Sequence, residues 1–172
     1  YTHPELTERM WINAPEDINA NGQFDEWPST ELRNGVHGDL NETDDDGNGY
    51  ADDVHGIRSQ NAYLDARNGT HTAGKGIGDT GGPPTGSHGT FVAGIIAASA
   101  TNGRGMAGIN WHSRIMVVAL GTATDSSYPC EGIVYAVDNG ARIINASWFL
   151  GKTGPVHALE AALSYAYDNA VV

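Results

Sequence analysis

The sequence predicts an α/β protein whose strands form a mostly parallel sheet, and three features carry that expectation. Residues 114–120 (Arg-Ile-Met-Val-Val-Ala-Leu) are a near-continuous apolar run, the pattern of a strand covered on both faces. Residues 130–139 then space Ile133, Val134 and Val137 as a helix does, and Asn139-Gly140 supplies the stop. The alternation repeats in an apolar strand at 141–147 and a helical stripe at 156–168 through Leu159, Ala162, Leu163 and Ala166. A further strand is expected at 170–172. Strand–helix–strand order within one sheet calls for right-handed crossovers.

With 172 residues the chain is expected to form one domain with a sizeable core. Its net charge of −12 argues against nucleic acid and anionic membrane as partners, and suits cation binding or an extracellular setting. No apolar run approaches a membrane span, and the opening Tyr-Thr-His-Pro does not resemble a signal peptide. The single cysteine, Cys130, excludes an internal disulfide and leaves the redox compartment open.

From the N-terminus, residues 13–43 are polar and without steady period, as expected of a surface excursion with at most a short helix near 29–32. Residues 44–53 read Asp-Asp-Asp-Gly-Asn-Gly-Tyr-Ala-Asp-Asp. Asp44, Asp46 and Asn48 followed by Gly49 match the opening of a calcium loop. A hard cation takes several oxygen ligands at once, and alternate residues on a tight loop converge on one point. Tyr50 offers its carbonyl, and Asp52 or Asp53 a closing carboxylate. His55 stands where an EF-hand carries Glu, so the expectation is calcium in a loop of another kind, against a plain solvated turn.

Residues 69–86 hold near-matches to two nucleotide motifs, Gly69 to Lys75 and Gly76-x-Gly78-x-x-Gly81. Both need a helix behind them, and Gly82-Pro83-Pro84 cannot continue one. The stretch reads as a loop. His71 lies in it without an apolar helix to hold it.

Residues 87–100 place His88 at the head of a segment apolar on every side, the mark of a buried helix. Ala93, Gly94, Ala97 and Ala98 would admit close backbone approach. His is the side chain suited to moving protons near neutral pH. The run from Ser87 to Gly94 resembles the histidine motif of the subtilisin-like serine peptidases, the subtilases, which usually reads Gly-His-Gly-Thr-His-Val-Ala-Gly. Ser87 replaces the first Gly and Phe91 the second His, and neither is the proton-carrying ring. The resemblance extends to His3-Pro4-Glu5-Leu6, to the Asp-Gly-Asn-Gly-Tyr run before the motif, and to Ile144-Asn145-Ala146-Ser147-Trp148.

The resemblance implies a three-layer subtilisin-like fold, with residues 1–172 as part of a catalytic domain and 13–43 as an insertion. It implies peptide-bond hydrolysis by an Asp-His-Ser triad with His88 as general base. Ser147, Trp148 and Phe149 would line the edge where a polypeptide substrate adds as a strand, although Phe149-Leu150 replaces the usual Gly-Gly. Structural calcium at Asp44, Asp46, Asn48, Asp52 and Asp53, secretion, and a propeptide or protein inhibitor as further partner follow from the same likeness. The aspartate motif is expected upstream of Tyr1 and the Gly-Thr-Ser motif beyond the second helix. Asp79-Thr80-Gly81 has the right letters in the wrong place. The chain alone is therefore expected to be inactive. A reading from another class is a non-catalytic module binding calcium or peptide; nucleotide binding is a third.

Overall fold

The computed structural model describes residues 3–58, 87–120, 127–148 and 156–172. In chain order it has a 3₁₀ turn at Thr7–Arg9 and strands β1 (Leu32–Arg33), β2 (Val36–His37) and β3 (Gly56–Arg58). Helix α1 (Ser87–Ala97), strand β4 (Val117–Ala119) and helices α2 (Ser127–Asp138) and α3 (Val156–Asp168) follow. β3 and β4 pair in parallel with Ile57 opposite Val118, and a lone parallel bridge joins Met10 to Ile115. The fold class is α/β.

α2 and α3 bury one stripe each against the other. Ile133 and Val137 meet Leu159, Ala162, Ala166 and Val171, with Cys130, Ile144 and Trp148 packed alongside. The spacing of the α3 residues, three and four apart, is the reason this sequence is a helix with one dry face. Both helices end in the same hydrogen-bond pattern. After α2 the Ala141 N–H reaches the Ala136 carbonyl and the Gly140 N–H reaches Val137, with Gly140 at φ 79°. After α3 the Val171 N–H reaches Ala166 and the Ala170 N–H reaches Tyr167, with Ala170 at φ 59°. These are Schellman endings, which favour Gly at the left-handed position. A second small cluster sets Ile57 and Tyr135 among Tyr50, Met116 and Val118, tying α2 to the β3–β4 pair.

α1 is buried at its C-terminal end among the described residues. Ala97 and Ala98 are fully buried, but Phe91 is 69% exposed and Ile95 51% exposed. Among the described residues the contacts gather at its C-terminal end, where the N–H groups of Ile109 and Asn110 take the carbonyls of Ile95 and Ile96. Gly108 lies so close that an added Cβ would sit 2.4 Å from the Ala98 nitrogen. The small residues thus serve close approach at 97–98, whereas Gly94 has open space where a Cβ would be.

Three expectations are corrected. No helix forms near 29–32. Asn34-Gly35, both at positive φ, close a two-residue hairpin that draws Leu32 into register with His37. The strands expected at 141–147 and 170–172 do not form: the second stretch is the turn that ends α3. Val172 pairs with the first, donating to the Arg142 carbonyl and accepting from the Ile144 N–H. Ile143 is left 74% exposed. No helix among the described residues is long and apolar enough to cross a membrane.

Candidate active site and cation site

His88 is the second residue of α1 and is exposed to solvent. Its ring is therefore accessible rather than sealed in the interior. Ser147 is exposed, its Oγ accepting from Asn145 Nδ2 at 2.8 Å. Trp148 is half-buried against the α2–α3 core. Phe149 lies outside the described residues, as do the near-matches to nucleotide motifs between 69 and 86. Among the described residues no hydrogen bond links His88 to Ser147 or Trp148. Cavities of about 620 Å³ beside Ile18 and His37 and about 470 Å³ beside Trp27 and Arg33 belong to the 13–43 segment.

The acidic loop is the more elaborately built site. Asp44 organises its turn, Oδ1 accepting the N–H groups of Gly47 (2.7 Å) and Asn48 (3.1 Å) and Oδ2 that of Gly49 (2.8 Å). Asp46 and Asp53 are bridged by two side-chain amides. Asn13 Nδ2 donates to Asp46 at 2.8 Å and to Asp53 at 2.9 Å, and Asn48 Nδ2 donates to each at 3.0 Å. Tyr135 on α2 completes the set with a 2.5 Å bond from its hydroxyl to Asp53 Oδ2.

Oxygens of Glu16, Asp44 and Asp46 all lie within 4.8 Å of one another. Carboxylate oxygens converging in this way suit a hard divalent cation. Glu16 is the member that sequence reading missed. It sits 28 residues upstream of Asp44 in a stretch without period, and only chain folding brings it in. Its Oε1 accepts the Asp45 N–H and its Oε2 the Asp52 N–H, at 2.7 and 2.8 Å. Burial pushes the Glu16 carboxyl up to about 7, helped by the charges of Asp53 and Asp45 and opposed by those two N–H groups. Desolvation likewise raises Asp53, against the donors from Tyr135, Asn48 and Asn13. Of the residues expected as ligands, Asp44 and Asp46 stand in the converging trio. Asn48 and Asp53 brace it from behind. Asp52 accepts the N–H groups of Asn41 and Glu42.

His55 has a structural part. Its Nδ1 lies 2.8 Å from the Trp11 carbonyl, an acceptor only, so that nitrogen carries the hydrogen. Burial lowers its pKa, and Phe24 packs on the ring edge at 5.9 Å.

Residues 1–171 match the model described as the subtilase family. A thermophilic serine proteinase from Bacillus sp. (strain AK1) is 39% identical over 92 residues, half of this chain and 22% of that protein. Fervidolysin from Fervidobacterium pennivorans is 36% identical over 97 residues, covering 51% of this chain and 13% of that protein. Subtilisin-like protease 1 of Plasmodium vivax is 29% identical over 154 residues, 86% of this chain but 18% of its own length. The chain thus spans less than a quarter of each of these three relatives.

Proposed function

The chain belongs to the subtilase family of serine peptidases, and on that premise we propose that it is part of a secreted, calcium-stabilised serine endopeptidase with His88 as general base. The observation that carries this is a solvent-accessible imidazole in the first turn of α1, inside a chain that matches the family almost throughout. In acyl transfer the imidazole takes the proton of the attacking serine hydroxyl and returns it to the leaving amine, while a carboxylate holds the ring. The serine and aspartate partners, absent from residues 1–172 as family motifs, are assigned to the rest of the polypeptide. Ser147, Trp148 and Phe149 are assigned to the edge that receives the polypeptide substrate. The Trp148 ring, anchored in the α2–α3 core, supports a fixed rather than mobile edge.

Calcium is assigned to Glu16, Asp44 and Asp46, the trio whose oxygens converge. When bound it supplies positive charge where burial and repulsion otherwise oppose ionised carboxylates. Secretion is supported by the acidic composition and by a cell wall-associated protease of Bacillus subtilis among the relatives, 44% identical over 63 residues.

The test is fluorophosphonate labelling of the protein expressed from its uninterrupted coding region. Labelling of the parent, and its loss in His88→Ala, is expected. A folded parent that resists the reagent would overturn the catalytic reading in favour of a binding module. For the cation, excess calcium should raise the melting temperature and EGTA lower it, by about 2.7 kcal/mol of added stability at a hundred times Kd. An unmoved melting temperature would remove the calcium assignment.

A further inference from the structure

Tyr50 and Tyr135 form a reciprocal pair across the gap between the acidic loop and α2. Tyr50, from the loop, donates its hydroxyl to Glu131 Oε1 on the helix at 2.9 Å. Tyr135, from the helix one turn further on, donates to Asp53 Oδ2 in the loop at 2.5 Å. The two rings meet edge to face, with centroids 5.1 Å apart and planes at 84°. Each element thus supplies a phenol to a carboxylate of the other. Tyr135 and Asp53 are both buried, at 2% and 0% exposure.

Asp53 is in turn the fixed end of the two amide bridges. Asn13 and Asn48 each spend both Nδ2 hydrogens, one on Asp53 and one on Asp46. The position of Asp46 Oδ2 therefore depends on where Asp53 is held. A Tyr at 135 adds to packing what a Phe cannot, a donor that occupies the third lone pair of Asp53 and pins it.

We propose that Tyr135 is a positioning residue of the cation site: through Asp53 and the Asn13 and Asn48 amides, its hydroxyl sets how tightly Glu16, Asp44 and Asp46 bind a divalent cation, calcium above all. The inference rests on the calcium assignment made above and adds to it that α2 belongs to the site. Coupling of this kind is reciprocal, so cation binding also tightens the seat of α2 on the loop.

Calorimetric titration of the chain with calcium chloride tests this, with Tyr135→Phe compared to the parent and to Tyr165→Phe. Tyr165 also donates to a carboxylate on α2, Asp138 at 2.5 Å, but at the exposed surface, and serves as a control for the loss of a phenol bond to that helix. Groups that hydrogen-bond a ligand directly are worth about 10–100-fold in metal affinity. Tyr135 acts from behind such groups, through Asp53, so a smaller loss, up to about 10-fold, is expected for Tyr135→Phe alone. Equal calcium affinity in Tyr135→Phe and the parent overturns the inference while the calcium assignment stands. No binding by the parent overturns both. Hydrogen exchange on the parent needs no variant: calcium should slow the amides of residues 132–138 together with those of 44–53. Protection confined to the loop overturns the coupling.

Discussion

The described residues of 127–172 bury apolar side chains almost alone, with Ile133, Val137, Leu159, Ala162 and Ala166 in one cluster. Residues 13–53 bury Glu16, Asp39, Asp52 and Asp53, all at or below 1% exposure. The first region is held by area removed from water. The second is held by carboxylates accepting from side-chain amides and main-chain N–H groups, which compensates most of their desolvation but none of their mutual repulsion. More than half of the 21 acidic residues lie in 13–53, against a single arginine, Arg33. Backbone strain is shared out in the same way. Among the described non-glycine residues at positive φ, Ala20, Asn34, Glu42 and Asp52 lie in the acidic region and Ala170 in the helical one. An apolar stripe folds its own stretch of chain; a carboxylate network needs both its donors and a counter-charge.

The largest effect that separates the two is Leu159→Ala. Emptying a core position in α3 should cost about 2–5 kcal/mol, read by urea unfolding, and equally with and without calcium. A calcium-dependent cost there would break the comparison. Asp53→Ala comes next. It leaves donors on Asn13, Asn48 and Tyr135 unpaired, about 1–3 kcal/mol, partly offset because a buried charge beside Asp46 is also removed. Its cost should grow when calcium is present, the opposite of Leu159→Ala.

Ala170→Gly should stabilise the helical half by about 1 kcal/mol, the strain of an L side chain in the left-handed region; an unchanged urea midpoint would contradict it.

A further effect is one of pH. Burial raises the Asp39 carboxyl from 3.8 to about 6, against donors from Asp25 and Asn19 and with the charges of Asp17 and Asp25 adding. A carboxyl raised on folding stabilises most below its unfolded pKa and loses that contribution as pH rises through the folded one. In calcium-free buffer the advantage of the parent over Asp39→Ala should therefore shrink between pH 4 and pH 6. An advantage that grows over that interval would reverse the sign.

Legibility in the sequence divides along the same line. The bounds of α3 and the stop after α2 follow from local spacing and from Asn139-Gly140, and both appear where the pattern put them. What packs against α1 was not legible. A run such as Phe91 to Ala97 says only that it is apolar, and burial depends on what packs against it. The acidic loop was half legible, because alternation from Asp44 to Asn48 is local whereas Glu16, Asn13 and Tyr135 come from 28 or more residues away.

By itself the sequence determined the helices, the acidic turn and the motif around His88, since each depends on residues within a few positions of one another. The tertiary structure alone decided which carboxylates converge, that Asp52 takes the N–H groups of Asn41 and Glu42, and that Tyr135 backs Asp53. The reason is physical: repelling charges and single hydrogen bonds leave no periodic trace in a chain. Their partners are selected only when folding brings distant segments within 3 Å of each other.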